Sequence, residues 1–163
     1  MLIINDLIVN YGQKKVLNGC SFHCEKGNIY GLIGLNGSGK STLINSLYRF
    51  VPKVSGDFKL ENRILHRNDI AYLETQNYYY SNITGFEYLS LFPKNNKELI
   101  AEYLKYFDLP LDRIIDGYST GMKKKLAIIG LLHFDKPIFI FDEPFNGLDL
   151  EANHYLLKLM EKL

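Results

Sequence analysis

Residues 34–41 read Gly34-Leu35-Asn36-Gly37-Ser38-Gly39-Lys40-Ser41, and this run matches every position of the pattern Gly-x-x-x-x-Gly-Lys-Ser/Thr. An apolar run over 29–33 precedes it and predicts a strand, and a helical pattern over 42–48 follows it. Strand, glycine-rich loop and helix in this order are the context in which such a run forms a phosphate-binding loop, or P-loop. The sequence therefore predicts a P-loop that binds a nucleoside triphosphate.

The residue types of the P-loop suit a triphosphate. Its oxygens need several backbone N–H groups within reach, and glycines allow the loop to wrap closely around them. The helix that follows directs its unpaired N–H groups at the phosphates. We expect Lys40 to reach the β- and γ-phosphates of ATP and the Ser41 hydroxyl to ligate Mg²⁺. The predicted nucleotide-binding set is Asn36, Gly37, Ser38, Gly39, Lys40, Ser41 and Thr42.

The composition is that of one globular domain. A chain of 163 residues is long enough for a single core, and its formal charge of +1 gives no general attraction to nucleic acid or anionic lipid. No apolar run approaches the ~18 residues of a membrane span, and the start lacks the basic region of a signal peptide. We therefore expect a cytoplasmic chain without a nucleic-acid partner. The basic triplet at 123–125 is interpreted as a solvated helix face.

Alternating strands and helices predict the α/β class, with a mostly parallel core sheet. Early strands at 2–9 and through residue 24 predict an N-terminal antiparallel β subdomain. Further strands are expected at 58–60, 70–73 and 137–141, and helices at 84–92, 97–107, 119–132 and 150–163. We predict a single P-loop NTPase domain over 1–163. Its core and antiparallel parts are 1–75 and 133–163, and its helical subdomain is 76–132.

A second motif supplies carboxylates. The apolar run Ile138–Phe141 is followed by Asp142 and Glu143. A buried parallel strand is apolar throughout, and α/β ligand sites lie at its carboxyl end. Asp142 is predicted to hold Mg²⁺ through water, and Glu143 to polarise the attacking water as general base. The pattern is weak by itself, but together with the P-loop upstream it indicates the acidic half of an ATPase site.

At this point the chain resembles the ATP-binding subunit of an ABC transporter, over essentially its whole length. Residues 118–122, Tyr-Ser-Thr-Gly-Met, are similar to the family's signature peptide Leu-Ser-Gly-Gly-Gln. Residues 144–149 are similar to the stretch that ends in the D-loop, and Tyr11 falls where the family stacks an aromatic ring on adenine. The signature peptide, with the lysine after it, is most similar to that of drug, bacteriocin and multidrug exporters whose membrane subunit is a separate chain.

This resemblance implies a pair of ATP-binding chains, a homodimer or a heterodimer, that meet head to tail. Ser119 and Gly121 of one chain would contact the γ-phosphate bound by the other, and Asp149 would help to join the two sites. The further partner would be a transmembrane permease, which places the chain on the inner face of the cell membrane. Two alternatives are a soluble ABC ATPase that acts on ribosomes or DNA, and a truncated ATP-binding module without turnover.

Two departures from the family pattern affect the predicted site. The family's Q-loop glutamine, a Mg²⁺ and coupling contact, falls by spacing at Thr75, whereas the glutamine here is Gln76, which we favour. The catalytic set is then Glu143, Lys40 and Gln76, and the metal set is Ser41, Asp142 and Gln76. In the family a further strand after the D-loop helix ends in a switch histidine. The sequence given ends inside that helix, so we expect a C-terminally incomplete domain whose turnover is in question.

Overall fold

The computed structural model describes residues 1–48, 50–51, 55–93 and 96–163. The strands are β1 Leu2–Tyr11, β2 Lys14–Cys24, β3 Ser55–Leu60, β4 Arg63–Ile64, β5 Ile70–Leu73 and β6 Ile138–Phe141. The α-helices are α1 Lys40–Leu47, α2 Gly85–Ser90, α3 Lys97–Leu104, α4 Thr120–Leu132 and α5 Leu150–Met160. Short 3-10 turns lie at Arg67–Asp69 and Ile115–Gly117. The chain divides into two compact units, residues 1–70 and 71–163.

The first unit contains an antiparallel sheet in the order β2-β1-β3-β4. Ile4, Leu7 and Val9 of β1 are fully buried, as one apolar face of a strand requires. The alternation changes phase at Asp6, which has a φ of 45° and donates its N–H to Ser21 Oγ (2.8 Å). An irregularity in both β1 pairings lies at this point, as expected of a bulge. The predicted antiparallel β subdomain is thus present.

The second unit is built around α4. Leu126, Ile128 and Ile129 of this helix are fully buried in a core that also includes Leu156 of α5 and Phe107. Strands β5 and β6 are hydrogen-bonded neighbours in a parallel pair, joined through the helical segment between them. No helix within the described ranges is long and apolar enough to cross a bilayer.

The helices of the second unit begin where side chains cap them. Thr84, Asn96, Ser119 and Asp149 each accept a hydrogen bond from a backbone N–H in the first turn of α2, α3, α4 and α5, respectively. Such caps satisfy N–H groups that have no partner inside the helix, so short polar residues fix the starting points. The α/β prediction is confirmed, and the predicted helices lie within a few residues of the observed ones.

One predicted strand is wrong in this structure. Residues 28–35, which contain the apolar run before the P-loop, have no regular secondary structure. Their apolar side chains are exposed, with Ile33 94% and Leu35 85% accessible. A strand exists only where its backbone finds a ladder partner, and this run joins neither sheet of the described residues. Among the residues that the structure describes, the parallel sheet is therefore a two-stranded pair.

Candidate functional site

The P-loop is formed by a turn that leads into α1. Gly39 is the residue before the helix and has a φ of 98°, and a Cβ there would lie 2.8 Å from Leu17 Cδ2. Gly37 also has a positive φ, of 80°, although a Cβ there would meet nothing within 4 Å. The positive φ thus favours glycine at both 37 and 39, and a side chain at 39 would also displace the end of Leu17. The first turn of α1 contains no acidic residue, so its N-terminus is electrostatically open to an anion.

Lys40 folds back over the loop that precedes it. Its Nζ donates hydrogen bonds to the backbone oxygens of Gly34 (2.7 Å) and Leu35 (3.0 Å). These carbonyls are neutral, so they orient the ammonium without neutralising its charge. The other predicted nucleotide-binding residues lie on the same exposed loop or in the first turn of α1. Tyr11 lies in the same unit at the end of β1, with half of its surface exposed.

Asp142 lies directly after β6 and is anchored to β5. Its N–H donates to the Leu73 oxygen (2.9 Å), and its Oδ2 accepts a hydrogen bond from the Tyr72 hydroxyl (3.4 Å). Burial, followed by the negative charges of Asp142 and Glu74, raises the pKa of Tyr72, so the phenol stays protonated and able to donate. The sequence interpretation missed Tyr72. The available signal was the alternation of side-chain direction along β5. It places Tyr72 on the opposite face from Ala71 and Leu73, which are buried.

Glu143 is exposed and has a strained backbone. Its φ of 47° is in the left-handed region, which a residue with a long side chain rarely adopts. Asn146 donates its Nδ2 hydrogen to Glu143 Oε2 at 2.6 Å and so holds the carboxylate. A non-glycine residue in this region is frequently part of a functional site. Asn146 is a second residue that sequence reasoning did not single out.

The signature peptide and the D-loop stretch contact each other within the second unit. Ser119 caps α4, with its Oγ accepting from Met122 N (3.2 Å). Lys125 Nζ lies 2.7 Å from Asp149 Oδ2, while Asp149 Oδ1 accepts from Ala152 N (2.8 Å). The hydrogen bond from Lys125 is the main cause that lowers the pKa of Asp149. Asp149 thereby connects the start of α5 to α4.

The contact between Gly121 and the D-loop stretch leads to a prediction. A Cβ at Gly121 would lie 2.5 Å from the Gly147 oxygen, a backbone atom that cannot turn aside. We expect Gly121→Ala to lower the free energy of unfolding by about 1–3 kcal/mol, as measured by urea denaturation. Gly117→Ala is the matched control, since a Cβ there meets nothing within 4 Å. Equal stabilities of the two variants would contradict the close packing.

The predicted Q-loop follows β5. Thr75 and Gln76 are both exposed, and the Thr75 backbone oxygen accepts a hydrogen bond from Lys124 Nζ at 3.3 Å. The role of Gln76 as the Mg²⁺ and coupling contact therefore stays a prediction. The interpretation of 123–125 as a solvated face is wrong for Lys124, which is only 5% exposed. The helical period puts this residue on the same face as Ile128 and Leu131, which are buried in the core.

The predicted site residues are divided between the two units. Tyr11 and the whole P-loop set belong to the first unit. Gln76, Ser119, Gly121, Asp142, Glu143 and Asp149 belong to the second. Within the second unit, the structure joins Asp142 to β5, Glu143 to Asn146, and α4 to the D-loop stretch, through Lys125 and Asp149 and through Gly121 and Gly147. The predicted site residues of each unit are thus positioned by contacts within that unit.

Comparisons of this chain with family models and with known proteins point to the same family. The family model described as "ABC transporter" matches residues 17–146. The bacitracin transport ATP-binding protein BcrA of Enterococcus faecalis is 32% identical over 94% of this chain and 55% of its own length. The lantibiotic transport ATP-binding protein SrtF of Streptococcus pyogenes is 32% identical over 99% of this chain and 74% of its own length.

Solved structures agree with this result. One, titled "Structure of ATP binding subunit of ABC transporter", has a TM-score of 0.88 and 30% identity, and covers 99% of this chain. This chain spans 74% of that structure and about half the length of the first curated relatives, 55% and 51%. A putative ABC transporter ATP-binding protein from Pyrococcus furiosus has a TM-score of 0.86 at 25% identity.

Proposed function

Because the chain belongs to the ABC transporter ATP-binding family, we propose that it binds and hydrolyses ATP as the motor subunit of a membrane exporter. The observation that carries this proposal is the P-loop at the start of α1, with Lys40 held over the loop by Gly34 and Leu35. Glycine-rich loops of this kind, with the N–H groups of a helix behind them, bind phosphates. The ATP molecule is the substrate of the reaction.

Each part of the site has a defined task in ATP hydrolysis. The backbone N–H groups of the loop bind phosphate oxygens, and Lys40 offsets their negative charge. Glu143 takes a proton from the attacking water. The oxygen donors of Ser41, Asp142 and Gln76 fit Mg²⁺, which prefers hydroxyl, carboxylate and carbonyl oxygens. When bound, this ion would neutralise charge that develops on the phosphates. Tyr72, by donating to Asp142 Oδ2, orients that carboxylate.

ATP would act by closing two chains on each other. Ser119 and Gly121 lie at the N-terminus of α4, a 13-residue helix whose first turn contains no acidic residue. This N-terminus suits the γ-phosphate held by a second chain, in a homodimer or a heterodimer. Loss of the γ-phosphate on hydrolysis would reopen the pair, and Asp149 would help to link the two sites.

The remaining parts of the proposal concern the cell. The bacitracin and lantibiotic transport names of the relatives favour an exporter with a separate transmembrane permease. The chain would then work in the cytoplasm, bound to the inner face of the membrane through that permease, and without nucleic acid. Residues 1–163 would form one ABC ATPase domain, with 76–132 as its helical subdomain.

The proposed function is tested by Mg²⁺-dependent ATP hydrolysis over a range of protein concentrations. We expect turnover per chain to rise with concentration, because the active unit is a dimer. Turnover per chain that stays constant over the whole range would contradict an active dimer, and the absence of any hydrolysis would contradict the enzymatic role of this chain.

Ser119→Arg tests the dimer interface directly. The large cationic side chain would occupy the space that the partner's γ-phosphate needs, so we expect loss of ATP-driven dimerisation while ATP still binds. Light scattering measures the dimer, and isothermal titration calorimetry measures the binding. Dimerisation of Ser119→Arg equal to that of the unmodified chain would refute the role of Ser119.

A further inference from the structure

The first turns of α4 hold the segment 74–79 at two points. Lys124 Nζ donates to the backbone oxygens of Glu74 and Thr75, both at 3.3 Å. Further along, the Tyr79 hydroxyl donates to the Lys123 backbone oxygen at 2.6 Å. Gln76 lies between these attachments. The helix that begins with the signature peptide is thus attached to the predicted Q-loop on both sides of its glutamine.

The surroundings of Lys124 make this contact specific. A buried ammonium is costly unless hydrogen bonds replace its water, and the two carbonyls at the end of β5 do so. Burial lowers the pKa of Lys124, and the negative charges of Asp142 and Glu143 act in the opposite direction. Asp142 and Glu143, whose carboxylates are proposed to serve the metal and the attacking water, therefore also favour the charged form of Lys124.

The carbonyls themselves belong to a tightened turn. The Glu74 oxygen accepts a second hydrogen bond, from Asn77 Nδ2 at 3.1 Å, so the chain curls around this oxygen directly after β5. Without the ammonium, Thr75 would lose the side-chain donor that fixes its direction. Because Thr75 is an exposed residue, its oxygen could then turn to water, and Gln76 would move with it.

We propose that Lys124 is a positioning residue of the ATPase site, which fixes the predicted Q-loop to the signature helix by binding the Glu74 and Thr75 carbonyls. This inference rests on the proposed function only for its effect on ATP turnover. The hold itself is a property of the second unit and can be measured without nucleotide. Movement of the signature helix would be passed to Gln76 through Lys124.

The test uses Lys124→Met, which keeps the length of the side chain and removes its donors. Lys124→Arg retains a cationic donor, and Lys158→Met removes the same charge from an exposed position of α5 as a control. Limited chymotrypsin cleavage is followed by mass spectrometry after Tyr78 and Tyr80, which are 77% and 53% exposed. Cleavage after Tyr106, which is 49% exposed and stacked on Tyr155, reports general loosening of the second unit.

In Lys124→Met we expect cleavage after Tyr78 and Tyr80 to be about tenfold faster, from the strength of hydrogen bonds that involve a charged group. The rate after Tyr106 should stay unchanged. We expect kcat for ATP to fall about tenfold with an unchanged KM, because the P-loop keeps its contacts, and Lys124→Arg to restore much of both losses. Lys158→Met should behave like the unmodified chain.

Wild-type cleavage rates in Lys124→Met would overturn the proposal. Faster cleavage with an unchanged kcat would also overturn it, by reducing Lys124 to a structural contact. A wild-type chain without any turnover would instead contradict the proposed function. In that case the cleavage rates alone decide whether Lys124 fixes the segment 74–79 to α4.

Discussion

ATP turnover should fall at least about 100-fold in Glu143→Gln, the usual size of a lost general base. The amide of glutamine cannot accept the proton of the attacking water, although it has nearly the shape of the carboxylate. Its carbonyl oxygen can still accept the hydrogen bond that Asn146 Nδ2 now donates to Glu143 Oε2. The loop should therefore keep its conformation, and the loss should be chemical. Steady-state phosphate release at saturating ATP and Mg²⁺ measures it.

Two controls separate chemistry from folding in this experiment. ATP affinity, measured by calorimetry, should be unchanged in Glu143→Gln, because the proposed contacts to the phosphates come from the P-loop. Glu151→Gln makes the same chemical change at an exposed position in the first turn of α5 and should leave turnover intact. Turnover near the wild-type level in Glu143→Gln would mean that another group takes the proton.

The parts of the site that were predictable from sequence are those with local causes. A left-handed glycine followed by a helix start is encoded by neighbouring residues, as at Gly39 and Lys40. Ser119 likewise accepts from a backbone N–H only three positions ahead, so its role as a cap could be predicted before the fold was known. Asp142 directly follows the apolar run of β6, so its place at the end of that run could be predicted from neighbouring residues.

The features that sequence did not predict depend on distant partners. Lys124 looked like part of a solvated triplet, but its ammonium finds carbonyls about 50 residues away. Tyr72 acquires a role only because β6 places Asp142 beside β5. The apolar run at 29–33 is the opposite case, a strand that was predicted and is not observed. Its composition favours a strand, yet a strand needs a neighbour, and composition does not show whether one is there.

The second large effect is expected in Lys40→Met, which should weaken ATP binding about 100-fold, the combined worth of charge-assisted hydrogen bonds to phosphate. Met fills nearly the same volume, so the loss isolates the ammonium. In the free chain that ammonium donates to the Gly34 and Leu35 oxygens, which belong to an exposed loop. These carbonyls can bind water instead. The free energy of unfolding should therefore change by less than about 0.5 kcal/mol.

The pairing of a large loss in affinity with a small loss in stability is what distinguishes a ligand-binding lysine from a structural one. Titration calorimetry with ATP gives the first quantity, and urea denaturation without nucleotide gives the second. Lys59→Met, at an exposed position of β3 in the same unit, removes an equal charge and should alter neither. If Lys40→Met instead lowers stability while ATP affinity is kept, the hydrogen bonds to Gly34 and Leu35 are the purpose of Lys40, and the P-loop assignment loses its main support.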